Sequence, residues 1–355
     1  MPADLETASS PGGQTASGHV LFKQIQKNDT YSTHSGRHRM RTRSRAALLA
    51  AVLVVAGLGA SACSKVAMLK GQMAFKDANA AYQSQDYKKA IAKYQEALKN
   101  NPELSYAYFY LANSYDNLYK PARKGEAEND ANLQKAIDYY KKATETIQEP
   151  KLRKLSYEYL LASYGPDKMN DPSQAEPIVQ KMIQMDPSDP ANYFALAKIY
   201  EDAGNYEQAE AALLKAREAR PKDPTVYMQL GAYYNRQGQF DKTMEALNQR
   251  AAQDPNNPEG YYTIATYYWD KTFRDKTLKD PEKREYIAKG LEATDKAIKI
   301  KGDYLEAIVY KGLLLRLQAT IEKDRKQQEA LLKEADTLRD RAKSLQKQKA
   351  TGAGD

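Results

Sequence analysis

Histidine and cysteine are nearly absent from this 355-residue chain, and their placement excludes more than their number does. His19, His34 and His38 all precede residue 46, and the single cysteine is Cys63, so residues 64–355 contain neither type. That stretch cannot build the usual zinc ligand sets, a Ser-His-Asp or Cys-His nucleophile system, or a disulfide staple. No Gly-x-x-x-x-Gly-Lys-Ser/Thr loop occurs, and Gly57-Leu58-Gly59 lies inside an apolar run rather than after a strand. No metal, no cofactor and no catalytic residue is expected. Phenylalanine and tryptophan are scarce too, with six and one, against 27 tyrosines.

Excess charge is equally confined. The chain carries 54 Lys and Arg against 46 Asp and Glu, a formal +8. Seven of those basic residues and three of the acidic ones fall in residues 1–62, which leaves the remaining 293 residues with 47 against 43. A surplus that small does not attract a phosphate backbone, so no nucleic-acid partner is expected.

The N-terminal charge has a pattern. Arg37, Arg39, Arg41, Arg43 and Arg45 precede the apolar run at 46–62, which closes on Ala60-Ser61-Ala62-Cys63. A basic flank, an apolar centre and small residues at the end are the parts of an export signal, here spanning 40–62. The uncharged stretch before Lys65 is 19 residues, at the short limit of the ~20 a bilayer requires. Its end resembles a bacterial lipoprotein signal, in which small residues precede a cysteine that becomes acylated. The resemblance implies lipid attachment at Cys63, a tether at 63–69 and a place in the cell envelope on the periplasmic side. Ordinary secretory cleavage just before Cys63 and an uncleaved membrane anchor are the alternatives. Residues 1–39, rich in Gly, Ser, Thr and Gln without periodicity, are expected to be a disordered extension or the product of a start placed upstream of Met40.

Beyond residue 70 the text repeats. Pro187, Pro221 and Pro255 are spaced by 34 residues. Tyr193, Leu196, Ala197 and Tyr200 are answered by Tyr227, Leu230, Gly231 and Tyr234, and Gly204 by Gly238. Each unit reads as two amphipathic helices, with the glycine in the turn and the proline stopping the second helix. This pattern resembles the tetratricopeptide repeat, which has 34 residues per unit. The unit ending at Pro221 matches with Tyr193, Leu196, Ala197, Tyr200, Ala209, Leu213 and Ala216; the next has Thr243 and Arg250 where alanine is usual, and looser packing is expected there. Earlier units carry Ala78, Tyr87, Ala90, Tyr94 and Ala97, then Tyr108, Leu111, Ala112, Tyr115, Ala136 and Tyr140. A divergent one carries Leu160, Ala162, Ala175 and Pro187, and a later one Tyr261, Ile264, Ala265 and Tyr268. Two units hold insertions, around Pro121 and at 273–281.

The resemblance implies an all-α superhelical solenoid of about six to seven helix-turn-helix repeats over 70–317, with a concave inner face. A charged C-terminal helix over 318–349 follows, whose Leu331, Ala335, Leu338, Ala342 and Leu345 cap the last repeat or form a coiled-coil seam. Ala90, Ala112, Ala136, Ala197, Ala209, Gly231 and Ala265 are the small residues that let helices approach. Most tyrosines are then core residues. Inward-facing positions 5 and 12 of the first helices supply a candidate groove: Phe75, Tyr82, Phe109, Phe194, Met228, Tyr262 and Trp269. Asn79 and Asn113 stand where carboxylate-clamping relatives place asparagine, but Phe75 and Phe109 occupy the place of the clamp's cation.

Function follows as an expectation. The chain reads as a non-catalytic scaffold that holds a protein or peptide partner in the envelope. A carbohydrate- or cell-wall-binding module using tyrosine platforms is the alternative, and a glycosidase built on carboxylates alone is a further one.

Overall fold

The computed structural model describes residues 46–350, with side chains from Lys65 onward. The arginine run, Met40 and the side chain of Cys63 lie outside the described residues. Among those described there are fourteen α-helices and no strand, and no helix is long and apolar enough to cross a membrane.

Two compact units divide the chain after Asp171. The first contains α1 (Ala46–Gln83), α2 (Tyr87–Asn100), α3 (Ser105–Leu118), α4 (Ala127–Thr146) and α5 (Pro150–Ser163). The second contains α6 (Pro172–Met185), α7 (Pro190–Asp202), α8 (Tyr206–Ala219), α9 (Pro224–Arg236), α10 (Phe240–Gln253), α11 (Pro258–Arg274), α12 (Asp280–Ile300), α13 (Leu305–Ile321) and α14 (Arg325–Ala350). Six antiparallel hairpins result: α1/α2 and α3/α4 in the first unit, then α7/α8, α9/α10, α11/α12 and α13/α14 in the second. The divergent unit expected from Leu160 to Pro187 is where the division falls, so α5 and α6 belong to different units.

Local chemistry explains why the helices begin and end where they do. Asp189-Pro190, Asp223-Pro224 and Asn257-Pro258 open α7, α9 and α11 at 34-residue intervals. Each Asx side chain accepts the N–H two residues on, at 3.0, 2.8 and 3.0 Å, and proline fills a first-turn position whose missing N–H costs nothing. Gly204 and Gly238 turn each hairpin with φ of +76° and +70°, a region glycine enters without strain. Asp86 caps α2 by accepting from Lys89 N at 3.1 Å.

Packing repeats with the sequence. Ala90, Ala112, Ala136, Ala209 and Ala265 are wholly buried, and Ala197 and Gly231 are buried beside them. A methyl on Gly231 would stand 3.2 Å from Leu247 Cδ2, so the spacing there has no room for a larger residue. Tyr193 and Tyr227 donate to the carbonyls of Pro187 and Pro221 at 3.0 and 2.6 Å. Tyr200 and Tyr234 donate to Glu176 and Glu210 on the preceding second helices at 2.7 and 2.8 Å. One tyrosine thus ties each first helix to the preceding loop, another to the preceding helix.

Two expectations need correction. Thr243 and Arg250 do not loosen α10: Thr243 is wholly buried and donates to Gln239 O at 3.0 Å. Arg250 reaches outward to Glu259 at 2.7 Å and Thr263 at 3.1 Å, while Ala251 takes the close contact with Gly260. The helix after residue 317 is not continuous. Residues 322–324 break it, with Glu322 accepting from the N–H groups of Lys323 and Asp324, and Asp324 from that of Gln327, so α14 folds back on α13. Ala335 and Ala342 are buried there, which makes the heptad a cap. The insertion expected at 273–281 is taken up largely by lengthened helices, since α11 and α12 run to 17 and 21 residues.

Candidate interaction surface

In the first unit the inward-facing residues are held by one another. Asn79 is buried and accepts from Tyr94 OH at 2.7 Å. Asn113 accepts from Tyr82 OH at 2.7 Å and donates to Tyr140 OH at 3.1 Å. Tyr140 in turn donates to Asp116 at 3.4 Å, and Lys168 pairs with Asp116 at 2.5 Å from 52 residues away. Both asparagines are consumed by internal bonds rather than offered to a ligand. Phe75 is half-buried against Tyr94, with ring centroids 5.8 Å apart. Phe109 is corrected from groove to core: it is 2% exposed among Tyr110, Tyr140 and Tyr159. The physical reason is that a side chain at position 5 of α3 lies over the neighbouring first helix, α5, whose Tyr159 covers it.

In the second unit the same positions are more open. Met228 is 39% exposed and Phe194 half-buried. Met228 lines a pocket of about 340 Å³ with Thr225, Arg250, Asn257 and Glu259. Further along, Tyr262 packs edge-on against Tyr304 and Tyr310 at 5.7 and 5.4 Å. Trp269 meets Tyr310 edge-on at 5.5 Å and stacks in parallel on Phe273 at 5.0 Å. Phe273 is 48% exposed, and Lys276 lies over its ring at 5.1 Å. A bed of five aromatic rings on α11, α13 and the loop residue before α13 therefore reaches solvent. Ion pairs link the earlier first helices of this unit: Arg236 grips Glu201 with two bonds of 2.7 and 2.8 Å, which holds the Glu201 carboxyl below its ordinary range, and Lys198 pairs with Asp202.

Residues 75–150 and residues 168–232 each match a family model of the tetratricopeptide repeat. These two stretches match as tetratricopeptide repeats. Among solved structures, the C-terminal part of a TPR repeat-containing protein from Cytophaga hutchinsonii is 19% identical over 74% of this chain and 95% of that one, with a TM-score of 0.51. A tetratricopeptide repeat protein from Parabacteroides merdae is 15% identical over 75% and 99%, with a TM-score of 0.41. YrrB, a TPR protein with an unusual peptide-binding site, is 21% identical over 61% and 95%, with a TM-score of 0.36. Likeness at these identities is one of fold. No curated protein matches the chain.

The repeat frame shows which members of the aromatic bed were visible beforehand. Tyr262 and Trp269 fall on the inward positions, whereas Tyr304 and Tyr310 fall in the loop and on the flank of the last first-helix, where the repeat pattern assigns no groove role. Phe273 belongs to the extension of α11 beyond the ordinary repeat length. Asp275 fixes the end of that extension by accepting from the Thr277 hydroxyl and N–H and pairing with Lys271, which holds its carboxyl well below the usual range.

Shielding of the tyrosines sets an alkaline limit. Burial first, and then the neighbouring phenols, raise Tyr82 and Tyr94; burial and then the Asp116 carboxylate raise Tyr140. A phenol whose folded pKa exceeds its unfolded value of about 10 contributes stability that is fully present below that pH and lost as pH rises toward the folded pKa. Urea stability of the tetratricopeptide chain should therefore be undiminished by these groups from about pH 7 to 9 and fall above about pH 10. Phenolate absorbance from the buried group should appear together with loss of helical circular dichroism. Complete phenolate formation in a fully helical protein would show that the phenols are not shielded.

Proposed function

We propose that this chain is a non-catalytic interaction scaffold of the bacterial cell envelope, exported by its N-terminal segment, tethered through lipid on Cys63, and holding a protein or peptide segment on the inner face of its second unit. The observation that carries the binding part is the aromatic bed of Tyr262, Trp269, Phe273, Tyr304 and Tyr310. Its rings are half-buried or exposed, although tetratricopeptide repeats need only buried positions for stacking, and tyrosine and tryptophan are the residues that anchor protein interfaces. The tether part rests on the sequence at 37–63.

The test pairs two variants. Photo-crosslinking from a reactive side chain at position 273 in native membranes should capture a partner, and Trp269→Ala should lower capture about tenfold or more, the loss of one anchor side chain, while thermal unfolding changes little. If Trp269→Ala unfolds the protein and capture falls only in proportion, the bed is core and the binding reading fails. Separately, Cys63→Ser should move the protein from salt-washed membranes to the soluble fraction, and intact mass should show wild type beginning at an acylated Cys63. A mature form retaining residues 46–62 would sink the tether.

A further inference from the structure

We propose that the solvent-facing side of α1 is a contact surface for an anionic lipid bilayer. Val66, Met68, Leu69 and Met73 are 54%, 46%, 58% and 62% exposed. Single exposed apolar residues are ordinary, but a contiguous stripe on one helix marks an interaction surface. At about 100° of rotation per residue, Val66, Leu69 and Met73 fall within an arc of about 60°, and Met68 stands apart from them on another side of the helix. Lys65 and Lys76 run along one edge of that arc and Lys70 along the other. All three lysines are exposed, and none forms an ion pair among the described residues.

The fold does not require this stripe. The opposite side of α1, with Gly71, Ala74 and Ala78, is buried, and Gly71 sits against Asn101 at the end of α2. That side completes the packing of the first hairpin. An apolar strip with lysines on both edges suits a membrane surface: the strip enters the acyl boundary, the lysine stems lie along it, and the ammonium groups meet lipid phosphates. Position argues for lipid over a second protein, because Val66 follows Cys63 by three residues, so the stripe starts where the N-terminal segment meets the bilayer, whether residues 46–62 are removed or kept. Asp77 is the one carboxylate near the stripe, between Val66 and Lys70 on that edge, and the charge of Lys93 faces it.

This surface does not depend on acylation of Cys63, so its test separates from that of the tether. The full chain with Cys63→Ser is given one new cysteine, at Leu69→Cys, at Met73→Cys or, as a reference on the exposed face of α4, at Ala131→Cys, and is labelled there with an environment-sensitive dye. With vesicles of phosphatidylcholine and phosphatidylglycerol containing a lipid-borne quencher, quenching at 69 and 73 should exceed that at 131 by about threefold or more. Lys65→Glu, Lys70→Glu and Lys76→Glu together should abolish most of the difference while helical circular dichroism is unchanged, since each reversal replaces attraction to anionic lipid by repulsion. Quenching at 69 and 73 no greater than at 131, or unaffected by the three reversals, overturns the proposal. So does a dye response that needs more protein and no vesicles, the mark of a second copy on the stripe.

Discussion

Tyr140→Ala should cost about 3–5 kcal/mol, the range for deleting a large buried aromatic side chain. Tyr140 is wholly buried, with the rings of Phe109 and Tyr159 at 5.9 and 5.6 Å. Truncation opens a cavity among residues fixed to three helices, α3, α4 and α5, which cannot all collapse into it. It also takes the acceptor from the side-chain amide of Asn113, which is 5% exposed, and an unpaired buried donor costs about 1–3 kcal/mol. Tyr140→Phe separates the two contributions, because it keeps the ring and removes only the hydroxyl; it should cost about 1–3 kcal/mol. Urea titration of the two variants measures the difference, and equal losses would mean that ring packing contributes nothing. Because repeats contact chiefly their neighbours, amide exchange should rise in α3, α4 and α5 before it rises elsewhere.

The contrast between Tyr140 and Trp269 explains what was legible in the sequence. Tyr140, Ala136 and Ala143 lie on one face at helical spacing, and the 34-residue recurrence fixes that face as the core side. Burial of a repeat-defining residue follows from the pattern alone, as for Ala209 and Leu213 in α8. Groove residues are not fixed in that way. Position 5 is inward-facing in every repeat, but whether it meets solvent depends on the next first helix. Tyr159 of α5 closes over Phe109, which is 2% exposed, while Met228 stays 39% exposed. Sequence position gave both residues the same role, and only the neighbour's side chain separates them. The aromatic bed was half visible for a related reason. Tyr262 and Trp269 follow the repeat, but Phe273 joins through a lengthened helix, and Tyr304 through a loop, which a periodic frame does not place.

The asparagines teach a similar limit. Asn79 and Asn113 occupy places that clamp a terminal carboxylate in relatives, yet here each is spent on a tyrosine hydroxyl. A chain so rich in tyrosine must satisfy its buried hydroxyls, and asparagine at the inward edge does so. Residue type at a motif position was therefore an ambiguous sign, decided by the tyrosine hydroxyls that lie beside it.

Gly71→Ala should destabilise the first unit, although alanine is the better helix former by about 1 kcal/mol. A methyl at Gly71 would stand 2.7 Å from Asn101 Cβ and 3.1 Å from Ala97 O. Asn101 is buried and ends α2: its N–H donates to Ala97 O at 2.8 Å and its side chain accepts from Glu103 N at 3.2 Å. It has no free end to swing away, so relief requires α1 and α2 to separate. Overpacking of this kind costs about 1–3 kcal/mol, and contact with backbone on both sides places it at the upper end, so the clash outweighs the gain in helix propensity. Thermal unfolding should show a lower midpoint for Gly71→Ala. Ala80→Gly, on the exposed side of the same helix, should lower it by only about 1 kcal/mol through propensity alone. A Gly71→Ala variant as stable as wild type or more so would show that α1 and α2 do not meet at this point, and with it that the outward orientation of Leu69 and Met73 is wrong.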